Sequence, residues 1–476
     1  MEQTPHSAGS TNSPEAMDCV SVILAAGKST RMKSRIPKPL HEICGRGLTS
    51  HVISACKDAG IVRNIVVVGF ESERVMEGIG DQAEFAYQAN QRGSGDAVKA
   101  AQALLSEFSG DVVVLAGDVP LIKSDTLLTL TRAHRVSGAV ATLLTAKLKD
   151  AGTYGRIVRN DSGMVTGIVE AKDCTEEQLA IQEWNPSIYC FRAPELFKYL
   201  SQVEPNNIQG EFYLTDVIGL MARAGHKIET ITTDDSEEVM GVNNLAELAV
   251  AGAILRKRVL DKLMLSGVTI IDPSSTYVDV DVSIGADTMI NPNTHIRAGS
   301  VIGEECMIGP NTSITNCTVA NRTTVLSSHL TQSNIGSDVK IGPFAHIRPG
   351  TVIADKVKVG DFVETKNAII GERVSISHLS YVGDASVGAG TNIGAGVVTC
   401  NYDGVHKYRT DIGAGTFVGT NSTLVAPVSV GDGSFVAAGS VVTKDVPPDA
   451  LAVARSRQEN KLDWARKRRE KIAKTK

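Results

Sequence analysis

The chain has 476 residues, 42% of them apolar, and a formal net charge of −5, which suits a globular protein of two or three domains. So small a charge over that length argues against a nucleic-acid or membrane-surface binder, and no run of about 18 apolar residues suggests a membrane span. Eight cysteines without CxxC or CxH spacing read as reduced thiols, which points to a cytoplasmic location.

Residues 1–17 are polar, rich in Ser, Thr and Pro, and lack the apolar core of a signal peptide. They are expected to form a disordered leader, with Met17 as a candidate start. Residues 18–246 alternate short β-branched runs (VSVILAA, NIVVVGF, DVVVLAGD) with amphipathic stretches such as GSGDAVKAAQALLSEF. That alternation predicts a Rossmann-like α/β domain with a mostly parallel sheet and helices on both faces. A helical pattern with charges on one face then predicts a linker helix over 247–267.

Beyond Gly267 the period changes. Ile284, Ile290, Ile296, Ile302, Ile308 and Ile314 recur every six residues, and the same step returns at Ile335–Val359, Ile370–Val382 and Ile412–Val442. A hexapeptide repeat predicts a parallel β-helix over 268–454, about ten triangular coils with the apolar residue inside. The phase breaks at Ala320–Asn334, Val382–Val387 and Thr399–Asp411, where projecting loops are expected. Residues 455–476 form a basic tail, read as a solvated end or as an arm toward a neighbouring chain or an anion.

The stretch LAAGKSTRM follows the first strand, so it lies at the carboxyl edge of the sheet, where α/β folds bind ligands. Its small residues suit close approach of phosphate oxygens, and Lys28, Arg31 and Lys38 supply countercharge. It is neither a Walker A loop nor GxGxxG. Asp118, at the end of another strand in LAGDVPL, and Asn243 in GVNN offer two oxygens, a set that suits Mg²⁺ with substrate phosphates. Gly93 and Ser94 stand at a helix start, and Gln88 is placed to read a base edge.

Taken in order, LAAGKSTRM, PKPL, QANQRGSGDA, AGDVPL, YGRI, GIVEAKD, QGEFYLTD and GVNN resemble a sugar-1-phosphate nucleotidyltransferase. With IGPFAHIRPG, VGDFVETKNA, SHLSYVGDA, NIGAGVVTCNYDG and FVGTNSTLVAPV, the chain resembles the bacterial bifunctional N-acetylglucosamine-1-phosphate uridyltransferase/glucosamine-1-phosphate N-acetyltransferase family from Val20 to about Gln458. The resemblance implies a uridyltransferase domain followed by a left-handed β-helix acetyltransferase domain. It implies a homotrimer that uses UTP, acetyl-CoA and one or two Mg²⁺ ions to make UDP-N-acetylglucosamine for cell-wall precursors. Leu24, Ala25, Ala26, Gly27, Lys38, Gln88, Gly93, Ser94, Ala116, Gly117 and Asp118 would bind the nucleotide. Gly155, Glu170 and Asn185 would line the sugar pocket, and Asp118 and Asn243 would carry the metal. In the second half Arg348 and Lys366 would hold the sugar phosphate, and Tyr381 and Asn392 would position the sugar. His378 would be the general base. Ala395, Asn401, Tyr402, Thr420, Ala438 and Arg455 would lie near acetyl-CoA, with Arg455 expected to reach a neighbour's ligand and Lys407 and Arg409 candidates for its phosphates.

The chain departs from the family's commonest pattern at Ser29, Ala116, Pro186, Ser377 and Thr420, which touches specificity and not reaction class. Two rival readings are a nucleotidyltransferase with a regulatory β-helix and a non-enzymatic assembly subunit. SHLSYVGDA and NIGAG…NYDG argue against the first; Lys38, Asp118 and Asn243 together argue against the second.

Overall fold

The computed structural model describes residues 18–148 and 151–475, so the expected leader lies outside the described residues. The chain divides into two compact units, Met1–Arg256 and Lys257–Lys476.

The first unit is built on one sheet of ten strands. Cys19–Leu24 sits between Arg63–Val68 and Asp111–Ala116, parallel to both, and Glu84–Tyr87 extends the parallel edge. Alternate residues of these strands enter different cores: Val20 and Val22 on one face, Cys19 and Ile23 on the other. A strand buried on both faces has no polar side, which is why VSVIL and NIVVV read as continuous apolar runs. The sheet is more mixed than the sequence suggests. Tyr189–Arg192 inserts antiparallel between Asp111–Ala116 and Ala141–Lys147, and Gly155–Arg159 and Val165–Val169 continue antiparallel.

The helix following this sheet spans Leu245–Leu265, two residues earlier at each end than the sequence pattern suggests. Asn244 Oδ1 accepts from the backbone N–H of Ala246 and Glu247 and so caps its start. Leu248, Ala251, Ile254 and Leu255 pack with Ile43, Leu48, Leu121 and Val242 of the first unit. Leu260 and Leu263 join the core of the second.

That second unit is a left-handed β-helix of hexapeptide repeats. One face stacks 11 short parallel strands. Ile290, Ile296, Ile308, Ile314, Ile347 and Ile376 point inward and are fully buried. Small residues such as Thr288, Thr294, Ser300 and Thr312, two places before the apolar residue, are buried at the corners. In most six-residue steps the third residue after the apolar one adopts a left-handed backbone: Asp287, Asn311, Arg322, Asp338 and Lys356 all have φ between 51° and 60°.

Two of the three expected loops are absent. At Ile314–Val319, Val325–Leu330–Ile335 and Val382–Val387 the step shortens to five residues, and the left-handed residue moves to the second place (Asn316, Ser327, Gln332, Asp384). The coil therefore closes with a tighter corner, and nothing projects. Only Thr399–Asp411 is a loop: Thr399 and Thr410 are buried at its ends, and residues 402–409 are exposed.

An Ile347→Ala substitution deletes a fully buried side chain from a core only one residue wide, where collapse around the gap is hard. Urea unfolding of the full chain should show a loss of about 2–5 kcal/mol.

Candidate functional sites

In the first unit the carboxyl edge of the sheet gathers the expected nucleotide residues. Leu24 O accepts from Gly117 N at 2.9 Å, and Ala26 O from Phe70 N at 3.1 Å, so the loop at 25–27 leaves the sheet between two neighbouring strand ends. Gly27 is exposed, and nothing lies within 4 Å of the place its Cβ would take. Ser29 and Lys33 bracket the turn Thr30–Met32, both left-handed, with φ of 50° and 48°. Where the resemblance leads one to expect glycine, Ser29 thus holds a conformation that glycine adopts freely.

Asp118 and Asn243 meet. The carbonyl of Asp118 accepts from Val242 N at 2.9 Å, which brings the GVNN segment alongside the strand end. Lys38 Nζ donates to Asp118 Oδ2 and to Asn243 Oδ1, the latter at 3.4 Å. Arg31 donates to the same Asn243 oxygen at 2.8 Å. One carboxylate and one amide oxygen converge on a cation here, so the donor set fits a hard ion that completes its shell with phosphate and water. Among the described residues no cluster of three or more His, Cys, Asp or Glu forms a metal cage.

The expected base-reading residues line the next strand end. Gln88 is buried, and its amide donates to Asp96 Oδ2 at 2.9 Å and to Gly93 O at 3.3 Å. Gly93 precedes the helix Ser94–Ala100 at φ 118°, and a Cβ there would come within 2.5 Å of Phe212 O. Only glycine fits. Ser94 Oγ accepts from Leu214 N at 3.0 Å, so this hydroxyl ties the QGEFYLTD segment to the helix start.

Gly155, Glu170 and Asn185 also come together. A Cβ on Gly155 would stand 3.4 Å from Glu170 Oε2, and Thr215 donates to Glu170 Oε1 at 3.3 Å. Asn185 is buried, donates to the Tyr189 hydroxyl at 2.7 Å, and accepts from Ser187 N at 3.1 Å. Thr215 and Tyr189 belong to this cluster and were not singled out from the sequence. Tyr154 packs into the other core instead: its ring lies tilted on Trp184 at 4.0 Å, and its hydroxyl reaches the Gly241 backbone near Asp118.

In the second unit the columns of the coil organise the site. His378 is two places beyond Ile376, and Asp361, Ala395, Thr420 and Ala438 hold the same place on other coils. The corner hydrogen bonds connect them in order: Leu379 N to Asp361 O, Gly396 N to His378 O, Asn421 N to Ala395 O, and Gly439 N to Thr420 O. The three small residues expected near acetyl-CoA therefore form one trough, with His378 at its foot. Arg455 is exposed at the other end of its own chain's column, its Cδ 3.9 Å from where a Gly439 Cβ would stand.

On the face that follows this corner lie Arg348 and Lys366. Arg348 N donates to Thr365 O, and its guanidinium pairs with Glu364 at 2.5 Å. Lys407 lies against Lys366 and, with Arg348, pushes its ammonium below the usual lysine range. Lys407, expected near the CoA phosphates, thus lies beside the cations expected to hold the sugar phosphate. Tyr381 shares this face, paired in register with Glu364, and a Cβ on Gly383 would collide with its hydroxyl. Asn392 lies on the preceding face, paired in register with Ser375 and Phe417. Asn401 donates to Asp384 at the root of the 399–411 loop, and Tyr402 is exposed within it, its hydroxyl donating to Gly404 O at 2.6 Å. Arg409 is drawn to Asp411 at 3.1 Å.

Burial pushes the Glu170 carboxyl up; the Thr215 hydroxyl opposes this, while Asp173 and Asp216 add to it. A raised carboxyl favours the fold while it is protonated. That contribution is complete below the ordinary carboxylate range and disappears as pH rises through the raised value. Glu170→Gln is neutral at every pH. Its thermal midpoint should exceed the native one at pH 8, and the gap should close toward pH 4 in paired calorimetric scans.

Comparison with known proteins agrees with this two-part geometry. Residues 21–205 match the MobA-like NTP transferase domain, residues 266–365 the EIF2B subunit epsilon LbH domain, and residues 409–444 the hexapeptide repeat of succinyl-transferase. The Bifunctional protein GlmU of Brevibacillus brevis is 46% identical over 94% of this chain and 97% of its own length. That of Acetivibrio thermocellus is 48% identical over 95% and 98%. The Shouchella clausii protein of the same name is 47% identical over 94% and 98%. The chain belongs to the bifunctional GlmU family, enzymes that join a nucleotidyltransferase to a hexapeptide-repeat acyltransferase.

Proposed function

We propose that the second unit acetylates glucosamine-1-phosphate with acetyl-CoA and that the first unit then transfers UMP from UTP to the product, giving UDP-N-acetylglucosamine and pyrophosphate for cell-wall precursor synthesis. The observation that carries this reading is the presence of two separate constellations in one chain. Lys38, Asp118 and Asn243 meet at one sheet edge, and His378 stands at the foot of a small-residue trough beside Arg348, Lys366 and Tyr381.

In uridylyl transfer the loop at 24–27 and Gly93–Ser94 hold the nucleotide, while Gly155, Glu170 and Asn185 orient the sugar. Lys38 and Arg31 exchange their present oxygen partners for phosphate oxygens, and catalysis is mostly positioning and charge neutralisation. Mg²⁺, held by Asp118 and Asn243, supplies further countercharge to the triphosphate. In acetyl transfer Arg348 and Lys366 clamp the sugar phosphate, and Tyr381 and Asn392 set the ring. His378 takes a proton from the 2-amino group as that nitrogen attacks the thioester carbonyl and the CoA thiolate leaves. Ala395, Thr420 and Ala438 leave room for the pantetheine arm, with Asn401 and Tyr402 beside it and Arg455 near the phosphates.

Because the two sets lie in separate units, the activities should separate. Asp118→Ala, or chelation of the metal, should abolish UTP-dependent pyrophosphate release and leave acetyl transfer within about twofold. His378→Ala should cut CoA thiol release roughly 10²–10⁴-fold and spare uridylyl transfer. Loss of both activities in either variant would contradict the assignment.

A homotrimer is part of this reading, and a cytoplasmic location fits the free thiols. Phe344, Phe362 and Leu379 are 58%, 56% and 62% exposed along the corner that carries His378, and the two phenyl rings stack at 5.3 Å. Such an apolar strip favours burial against another chain. Light scattering should give three times the chain mass; a fully active monomer would overturn the trimer.

A further inference from the structure

The corner column that carries His378 also holds a carboxylate. Strands Lys358–Asp361 and Ser375–His378 pair in parallel with Asp361 directly opposite His378. The Leu379 N–H donates to Asp361 O at 2.9 Å and locks the two coils together at this point. Asp361 Oδ1 lies 2.5 Å from His378 Nδ1. We infer that Asp361 is the positioning residue of the acetyl-transfer site: it accepts the Nδ1–H of His378 and so leaves the Nε2 lone pair to take the proton. This rests on the reading of His378 as the general base.

The chemistry follows from donor and acceptor capacity. An ionised carboxylate can only accept, so the hydrogen it receives must be on Nδ1. The His378 imidazole beside it holds the Asp361 carboxyl below the usual carboxylate range, so it is ionised at neutral pH. With Nδ1 bearing the hydrogen, the neutral ring has its basic nitrogen at Nε2, pointing away from Asp361. When Nε2 accepts the amine proton, the ring becomes a cation, and Asp361 is the charge beside it. Fixing the tautomer and ring angle through the second nitrogen is how a carboxylate makes a histidine an efficient base. Glu364, three residues beyond Asp361, is committed to Arg348.

The test compares Asp361→Ala and Asp361→Asn with the native enzyme as full chains. Thiol release from acetyl-CoA is measured across substrate concentrations, uridylyl transfer checks the fold, and ¹⁵N chemical shifts of the His378 ring report the tautomer. Asp361→Ala should lower kcat for acetyl transfer roughly 10–100-fold with KM for glucosamine-1-phosphate within twofold. Its ring shifts should move from a bare Nε2 to a mixture of tautomers. Asp361→Asn should fall between, because its amide oxygen can still accept from Nδ1–H. A kcat within twofold of native in Asp361→Ala, or a native ring bare at Nδ1, would overturn the inference. His378→Ala is assayed alongside. If it is inactive while Asp361→Ala is not, only this inference fails; if it is fully active, the reading of the base fails and this inference with it.

Discussion

The constraint on which the second half depends is the hydrogen-bonded stacking of one coil on the next. Each coil must return the chain to the same inward position, and most corners carry a residue that turns left. Proteins use glycine there when they can, and this chain does at Gly350, Gly390 and Gly439. Elsewhere it places Asn, Asp, Lys and even Phe in that conformation. Side chains at equal places on successive coils then form columns about 4.8 Å apart. A column is a rigid ruler: it can hold a base beside a carboxylate and line a trough with methyl groups, without any loop having to order.

This explains what the sequence makes legible. The six-residue period is visible because each inward position is occupied by Ile, Val or Leu, and the α/β half because its buried strands are unbroken β-branched runs. The contracted corners are not visible. A five-residue step looks like a break in phase, and a loop is the natural expectation, yet Asn316, Gln332 and Asp384 simply turn one place earlier. The same contraction hides Asp361. Counting three hexapeptides back from His378 arrives at Gly360, whereas the short step from Thr365 to Ile370 brings Asp361 into register instead. Lys407 is legible as a candidate cation, but its place beside Lys366 is not, because the two lie across a loop whose path no period encodes.

The nucleotide site is built on the opposite principle. Its groups come from strand ends and connecting segments, and motif order along the chain identifies them better than any spacing does. Which partners they take is a matter of charge. Asp118 and the Asn243 carbonyl need a cation between them, and in this structure Lys38 and Arg31 provide it. Gln88, Ser94 and Asn185 likewise have protein partners in Asp96, the Leu214 amide and the Tyr189 hydroxyl. A buried or half-buried polar group left unpartnered costs roughly 1–3 kcal/mol, so a site made of many such groups is stable alone only if they pair internally.

The two sites therefore differ in what binding has to change. Under the loop at 27–39 the cavity is only about 20 Å³, lined by Gly27, Lys28, Arg35 and Lys38 among others, which is about the room for one water. Asp118 and Asn243 do not line that cavity; in the proposed uridylyl transfer, phosphate would take the place of Asn243 on Arg31 and of Asp118 on Lys38. The charges that leave their protein partners find phosphate in return, so the exchange keeps every cation neutralised throughout. At the coil corner the base needs no such exchange: His378 is exposed and already bonded to Asp361, and the column above it has no side chain larger than threonine. One chemistry depends on a loop that trades partners and the other on a scaffold that holds still. That difference follows from the change of period at Gly267.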